Sequence, residues 1–398
     1  MDALTPMPLK APWVARPREP LRVLGTSVTQ IEPVKQAAEE DLGLALEFIT
    51  LDGTAAQRRG GLAPATFDVY DQWFHDLDLV WPTGSLQPIA LSRVPRWGDA
   101  NALSRTGGEA QRAAYSDPSR NLFVQLDATL GATPTDAISM LPTVHNADGF
   151  AVVGDMDATS WGAFLDPAHA GSIVLHSDPA IGAVEFALAM QAAEGFAPAN
   201  PFDLSVDEID TLVARLSAAL SAGQFLRVWT DEAEAIAAMG RGAPTMGTLW
   251  WSGVIRLRAE GVPVRMVMPA EGCRGWFGGL ALSTLATGYA RDAAYDYLNW
   301  WLEGRAGAIL ARNGAYMAAP AAVRRHLSAA EWDFWYGGEP AAETIRDPLG
   351  RAVYGAGDVR GGGSYAERMS QIVVWDTVMT EHNYLVRRWD DALATPHT

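Results

Sequence analysis

Leu21-Arg22-Val23-Leu24-Gly25, then residues 32–42 closed by Gly43, then residues 46–51, is the stretch from which the fold is read. The first run is a short apolar strand, the second a helical segment with a glycine at its end, and the third another strand. Residues 67–70 add a third strand after the Gly60-Gly61 break. Strand, helix and strand at this spacing make a βαβ unit of a parallel sheet.

Working outward, the same style returns in the second half of the chain. Residues 149–153 and 172–175 read as strands, with Ser160-Trp161 opening a short helix between them. Residues 180–194 form an apolar helix and 205–222 an amphipathic one, introduced by the capping-box pair Ser205 and Glu208. Residues 245–250 and 264–268 are strands around a helix, and 279–284 is a short apolar segment. Residues 290–310 predict one long helix and 364–392 a last one, after a Gly361-Gly362-Gly363 hinge or loop. Between the strand-rich stretches, residues 82–117 have little periodicity and read as a long surface connection.

Composition narrows the function. The 398 residues include 30 basic and 47 acidic side chains, a formal charge of −17. Such a surface repels nucleic acid and anionic lipid, which recruit Lys and Arg. No run approaches the ~20 apolar residues of a membrane span. Cys273 is the single cysteine, so no internal disulfide forms, and no Cys/His spacing marks a zinc site. No nucleophile elbow, phosphate loop or zinc helix is present, no two of the seven histidines stand at helical metal spacing, and no cofactor is implied. His145 is the most suggestive histidine, in a predicted turn with Asn146 and Asp148.

Tryptophan is the unusual component, 15 in all. Trp300 and Trp301, inside a helix with apolar neighbours, read as core. Trp73, Trp250, Trp251 and Trp276 fall at predicted strand ends, where flat rings wall a ligand cleft through area burial and cation–π attraction.

An ordered block carries the sharpest signal: Met246-Gly247-Thr248-Leu249-Trp250, Val262-Pro263-Val264, Pro269-Ala270-Glu271-Gly272, then Trp276 and Gly278-Gly279. It resembles the corresponding stretch of bacterial periplasmic solute-binding proteins of the spermidine/putrescine type, which serve ABC importers. The segments Ser160-Trp161 to Pro167, Tyr297 to Leu302, and Asn313-Gly314-Ala315-Tyr316 with Pro320 fit the same order. The resemblance spans residues 21–393, nearly the whole chain.

The resemblance implies a two-lobed α/β type II periplasmic-binding-protein fold with a ligand cleft between lobes joined by crossing segments. Residues 1–19 become an N-terminal extension, 20–145 with 277–320 the first lobe, and 148–275 with 322–395 the second, with two crossings. It implies a monomeric, non-enzymatic binder of a small organic solute, delivering it to a membrane permease and touching no nucleic acid. The expected location is the periplasm after removal of a signal, or the cytoplasm if Met1 is the true start. In the site, Trp73, Trp250, Trp251 and Trp276 provide aromatic walls, Asp71, Asp148 and Asp178 pair a cationic group, and His145 lies nearby.

Two positions depart from the family. Relatives place an Asp where this chain has Gly278, and Arg274 is expected on the cleft loop beside Glu271. A lost anion and a gained cation predict a small monocation or a zwitterion, polyamine-like, betaine-like or amino-acid-like, whose acidic end Arg274 holds. Two other readings stay open. One is an enzyme on the same framework using His145, Asp148 and Asp178, and the other a cytoplasmic ligand sensor.

Overall fold

The computed structural model describes residues 19–106 and 118–394; the predicted N-terminal extension, save Glu19, and the end of the 82–117 connection lie outside them. The opening βαβ reading holds. Strand Leu21–Gly25 pairs in parallel with Leu46–Thr50 and Val69–Trp73. The helix Glu32–Leu42 between the first two ends at Gly43, whose φ of 60° turns the chain left-handed while its N–H bonds to the Glu39 carbonyl.

Two large sheets organise the molecule. The first has eight strands in the order Tyr316–Met317, Leu141–Asp148, Cys273–Ser283, Val69–Trp73, Leu21–Gly25, Leu46–Thr50, with Leu86–Gln87 and Ile372–Trp375 also paired to Cys273–Ser283. The second has five, in the order Phe225–Trp229, Ile173–His176, Thr245–Gly247, Phe150–Val153, Val264–Val267. In each, three parallel strands meet antiparallel ones, so the parallel strands of each end at one edge.

Each sheet has its own apolar core. The first gathers Val23, Tyr70, Leu280, Trp300 and Trp301, which confirms the core reading of those two tryptophans. The second gathers Phe150, Trp161, Phe186, Leu212 and Trp389. The chain links the two cores at Gly149, between Val267 and Cys273, and between the strand Ile372–Trp375 and the helix His382–Ala394. Gly149 has a steric reason, because a Cβ there would stand 1.9 Å from the Val267 carbonyl oxygen of the neighbouring crossing. Residues 322–372, assigned to the second lobe in the sequence reading, bury Phe334, Trp335, Ile345 and Ile372 in the first core.

Three predicted elements change. The apolar segment 279–284 is the end of an eleven-residue strand, Cys273–Ser283, buried along its whole length. The 290–310 helix is two, Gly288–Trp301 and Arg305–Ala311, broken at Gly304 with φ 97°. The last helix is a short helix Tyr365–Ser370, the strand Ile372–Trp375 and the helix His382–Ala394. The β-branched run Ile372-Val373-Val374 explains the strand, since such side chains pack well on a pleated surface. No helix among the described residues is long and apolar enough to cross a membrane.

Candidate functional site

Where the parallel strands of the two sheets end, they enclose a cavity of about 220 Å³. The first sheet contributes Thr26 and Ser27, the 50–54 turn and Trp73; the second contributes His176 to Asp178, Thr230 to Glu232, and Trp250. The carboxyl ends of open α/β sheets are where ligands bind, because loops and helix starts diverge there and leave room.

The cavity is acidic. Asp52, Asp178, Asp231 and Glu232 line it, and among the described residues no Lys or Arg does. Three of these carboxylates close turns or helix starts: one oxygen each of Asp52, Asp178 and Asp231 accepts the N–H of Ala55, Ala180 and Ala233 at 2.9 Å. The second oxygen of each accepts no hydrogen bond among the described residues. Glu232 accepts from the Ser252 hydroxyl at 2.8 Å and the Gly253 N–H at 3.1 Å, yet burial pushes its carboxyl up to about 7. Burial also raises Asp178, against the hydrogen bond from Ala180 and the charge of Arg274.

Aromatic surface completes it. The rings of Trp73 and Trp250 lie 6.3 Å apart, tilted by 43°. His176 stands edge-on to Trp229 with centroids 4.2 Å apart and 5.5 Å from Trp250. Its Nδ1 accepts the Asp178 N–H at 2.9 Å, which leaves the proton of the neutral ring on Nε2. Burial lowers its pKa to about 3, so the ring is neutral at physiological pH.

Of the residues singled out in the sequence, Trp73, Trp250 and Asp178 line this cavity. Asp71, Trp276 and Gly278 border a crevice of about 10 Å³ that shares Thr26 and Trp73 with it. Asp71 accepts from the Thr29 hydroxyl at 2.8 Å, and burial raises it to about 7. Gly278 leaves no open gap: a Cβ there would stand 2.7 Å from Val144 Cγ1.

Trp276 and the remaining residues stand in surroundings other than those expected. Trp276 is on a strand and not a loop, 4% exposed, with its Nε1–H donated to Asp148 at 2.6 Å. His145 and Asp148 lie on the strand Leu141–Asp148 and not in a turn. His145 bonds the Tyr365 hydroxyl at 2.9 Å and packs 4.9 Å from the Phe277 ring, and it is not part of the cavity lining. Trp251 is buried with the Arg360 and Arg368 guanidiniums 4.1 and 4.5 Å from its ring.

Arg274 corrects the expectation most sharply. It sits in the Cys273–Ser283 strand, 1% exposed, not on the loop. Its Nε donates to Glu185 at 2.9 Å, its Nη1 to Asp376 at 2.9 Å, and its Nη2 lies 3.7 Å from Asp148. Burial opposes its charge, but Asp376, Glu185 and Asp148 more than offset this and raise its pKa. The guanidinium is enclosed by three carboxylates and absent from the cavity lining. The loop acid Glu271 likewise turns inward, accepting from the Ser160 hydroxyl at 2.5 Å.

Sequence reasoning missed His176, Asp52, Asp231, Glu232 and the hydroxyl-bearing residues of the lining. Their signal was positional: each lies at the carboxyl end of a strand or within four residues of it, where the side chains of a parallel sheet reach its carboxyl edge.

No protein-family model matches the sequence, and no curated protein matches it. Solved structures do match over almost all of the chain. A putative spermidine/putrescine ABC transporter protein from Listeria monocytogenes superposes with a TM-score of 0.65 at 13% identity, covering 94% of this chain and 98% of the other. The chain has the fold of a type II periplasmic solute-binding protein. The Tp0655 (TpPotD) lipoprotein of Treponema pallidum gives a TM-score of 0.64 at 12% identity, with 94% and 99% covered. The protein MotA of A. tumefaciens B6, solved in complex with glucopine, gives 0.62 at 14% identity, with 94% and 99% covered. In this solute-binding-protein fold the acidic cavity lies between the two sheets, at the strand ends of both.

Proposed function

We propose that the protein captures a small organic cation in this cavity and hands it to the membrane permease of an ABC importer, in the periplasm. The observation that carries the reading is the lining itself: four carboxylates, no Lys or Arg among the described residues, and two tryptophan rings between the strand ends of two sheets. An ammonium group is drawn to the carboxylates by charge and to the tryptophan faces by cation–π attraction of about 0.5–2 kcal/mol. The location and the permease rest on the fold shared with solved solute-binding proteins.

The two lobes of this reading follow the cores. The first comprises residues 19–106 and 118–148 with 273–375, and the second 150–267 with 382–394, with the crossings as the hinge. Trp73 and Asp52 then face the solute from one lobe, and Asp178, Asp231, Glu232 and Trp250 from the other, so closure buries it. Arg274 does not hold a carboxylate of the solute here, and the zwitterion loses the partner assigned to it.

Calorimetric titration at pH 8, where Glu232 is largely ionised, with putrescine, spermidine, betaine and glucosamine tests the reading. Binding of at least one amine is expected, weakened at least tenfold by Trp250→Ala and by Asp178→Asn, a loss of about 1.4 kcal/mol each. An amine that binds both variants as well as the native protein removes the cavity from the mechanism.

A further inference from the structure

We propose that the solute is a polyhydroxylated amine, an amino sugar or aminocyclitol, and not a bare alkyl polyamine; this rests on the cavity being the capture site. The lining is rich in hydroxyls: Thr26, Ser27, Thr50, Thr54, Ser177 and Thr230 all face it. Thr50 already donates to Gln30 at 2.7 Å, and Ser177 and Thr230 bond each other at 2.8 Å, which leaves Thr26, Ser27 and Thr54, to which an alkyl diamine offers mainly methylenes.

Two of the polar groups belong to residues that the protein largely covers, with their free atoms opening on the cavity. Thr26 is 7% exposed and His176 is 5% exposed, and both line the cavity. The Thr26 hydroxyl and the His176 Nε2–H make no hydrogen bond among the described residues, while His176 Nδ1 is fixed as an acceptor by the Asp178 N–H. A polar group left unpaired when a ligand displaces its water costs the full desolvation penalty, so the occupant must itself carry hydrogen-bonding atoms.

The acceptors point the same way. Asp52, Asp178 and Asp231 each keep one oxygen free, more than a single ammonium needs. The remainder suit hydroxyl donors, since a carboxylate accepts at both oxygens. Trp73 and Trp250, tilted by 43°, do not form parallel plates around a chain; they offer angled faces against which the C–H edges of a ring can rest. Ring, ammonium and hydroxyls together match the cavity's walls, acids and free donors.

The test is calorimetric titration of the native protein at pH 7 with glucosamine, galactosamine, N-acetylglucosamine, glucose, putrescine and spermidine. Glucosamine or galactosamine should bind at least tenfold tighter than putrescine and spermidine. N-acetylation, which removes the charge, should cost at least tenfold, and Thr26→Val should weaken the amino sugar severalfold more than it weakens putrescine. Tighter binding of putrescine or spermidine than of either amino sugar overturns the inference and leaves the capture reading standing. Tighter binding of glucose than of glucosamine overturns both, as does the absence of binding by every compound.

Discussion

Arg274 was legible as a charged residue beside the cleft tryptophan but not as a buried one. The sequence shows neither Glu185 nor Asp376 near it, because those partners come from residues 89 and 102 positions away. The same holds for Trp276, whose partner Asp148 is 128 residues distant. Trp73, Trp250 and Asp178 were legible for a local reason, since each stands where an apolar run stops. If the ion cluster is structural, removing the guanidinium leaves three carboxylates in the interior without their cation. Arg274→Ala should then lower stability by about 3–5 kcal/mol in denaturant titration, as breaking a buried pair does. An unchanged unfolding midpoint would show that the cluster is not closed as described.

At the scale of elements, the βαβ opening was read correctly because each part has a local cause: an apolar run, a helix, a left-handed glycine at its end. The break at Gly304 was not, because glycine inside an apolar helical pattern is tolerated and gives no clear stop signal. The structure supplies the reason, a φ of 97° together with a Cβ position 2.3 Å from the Ala322 carbonyl carbon. Gly304→Ala must strain the backbone and displace the 320–323 turn. We expect a loss of at least about 1–3 kcal/mol in thermal or denaturant unfolding with solute affinity retained, since the junction is absent from the cavity lining. A variant as stable as the native protein would mean that the two helices can run on as one. The last segment was misread for a related reason: Ile372-Val373-Val374-Trp375 is apolar enough to continue a helical pattern, and only pairing with the long central strand makes it a strand.

For the whole molecule, buried titratable groups set a stability profile in pH. Burial raises Asp71, Glu232 and Asp376 to about 7 and Asp76 to about 8. The native state therefore holds these protons more tightly than the unfolded chain, and stability falls as pH rises from about 4 to 8. Burial lowers His75, His145 and His176 to about 3. There the unfolded chain binds protons more tightly, and stability falls as pH drops from about 6.5 to 3. The two sets oppose each other between about 4 and 6.5, and only the carboxyls act above that window. Thermal midpoints should form a plateau in that range and decline toward pH 8; a midpoint still rising at pH 8 would contradict these burials.

In the proposed capture, one solute is held by the strand ends of both sheets at once. Hydrogen exchange with and without saturating glucosamine or putrescine measures this directly. Such capture predicts slowed exchange at residues 26–30 and 50–55 on one side and at 176–182 and 230–233 on the other, appearing together and with the same dependence on ligand concentration. Protection confined to one sheet, or located away from both sets of strand ends, would contradict it.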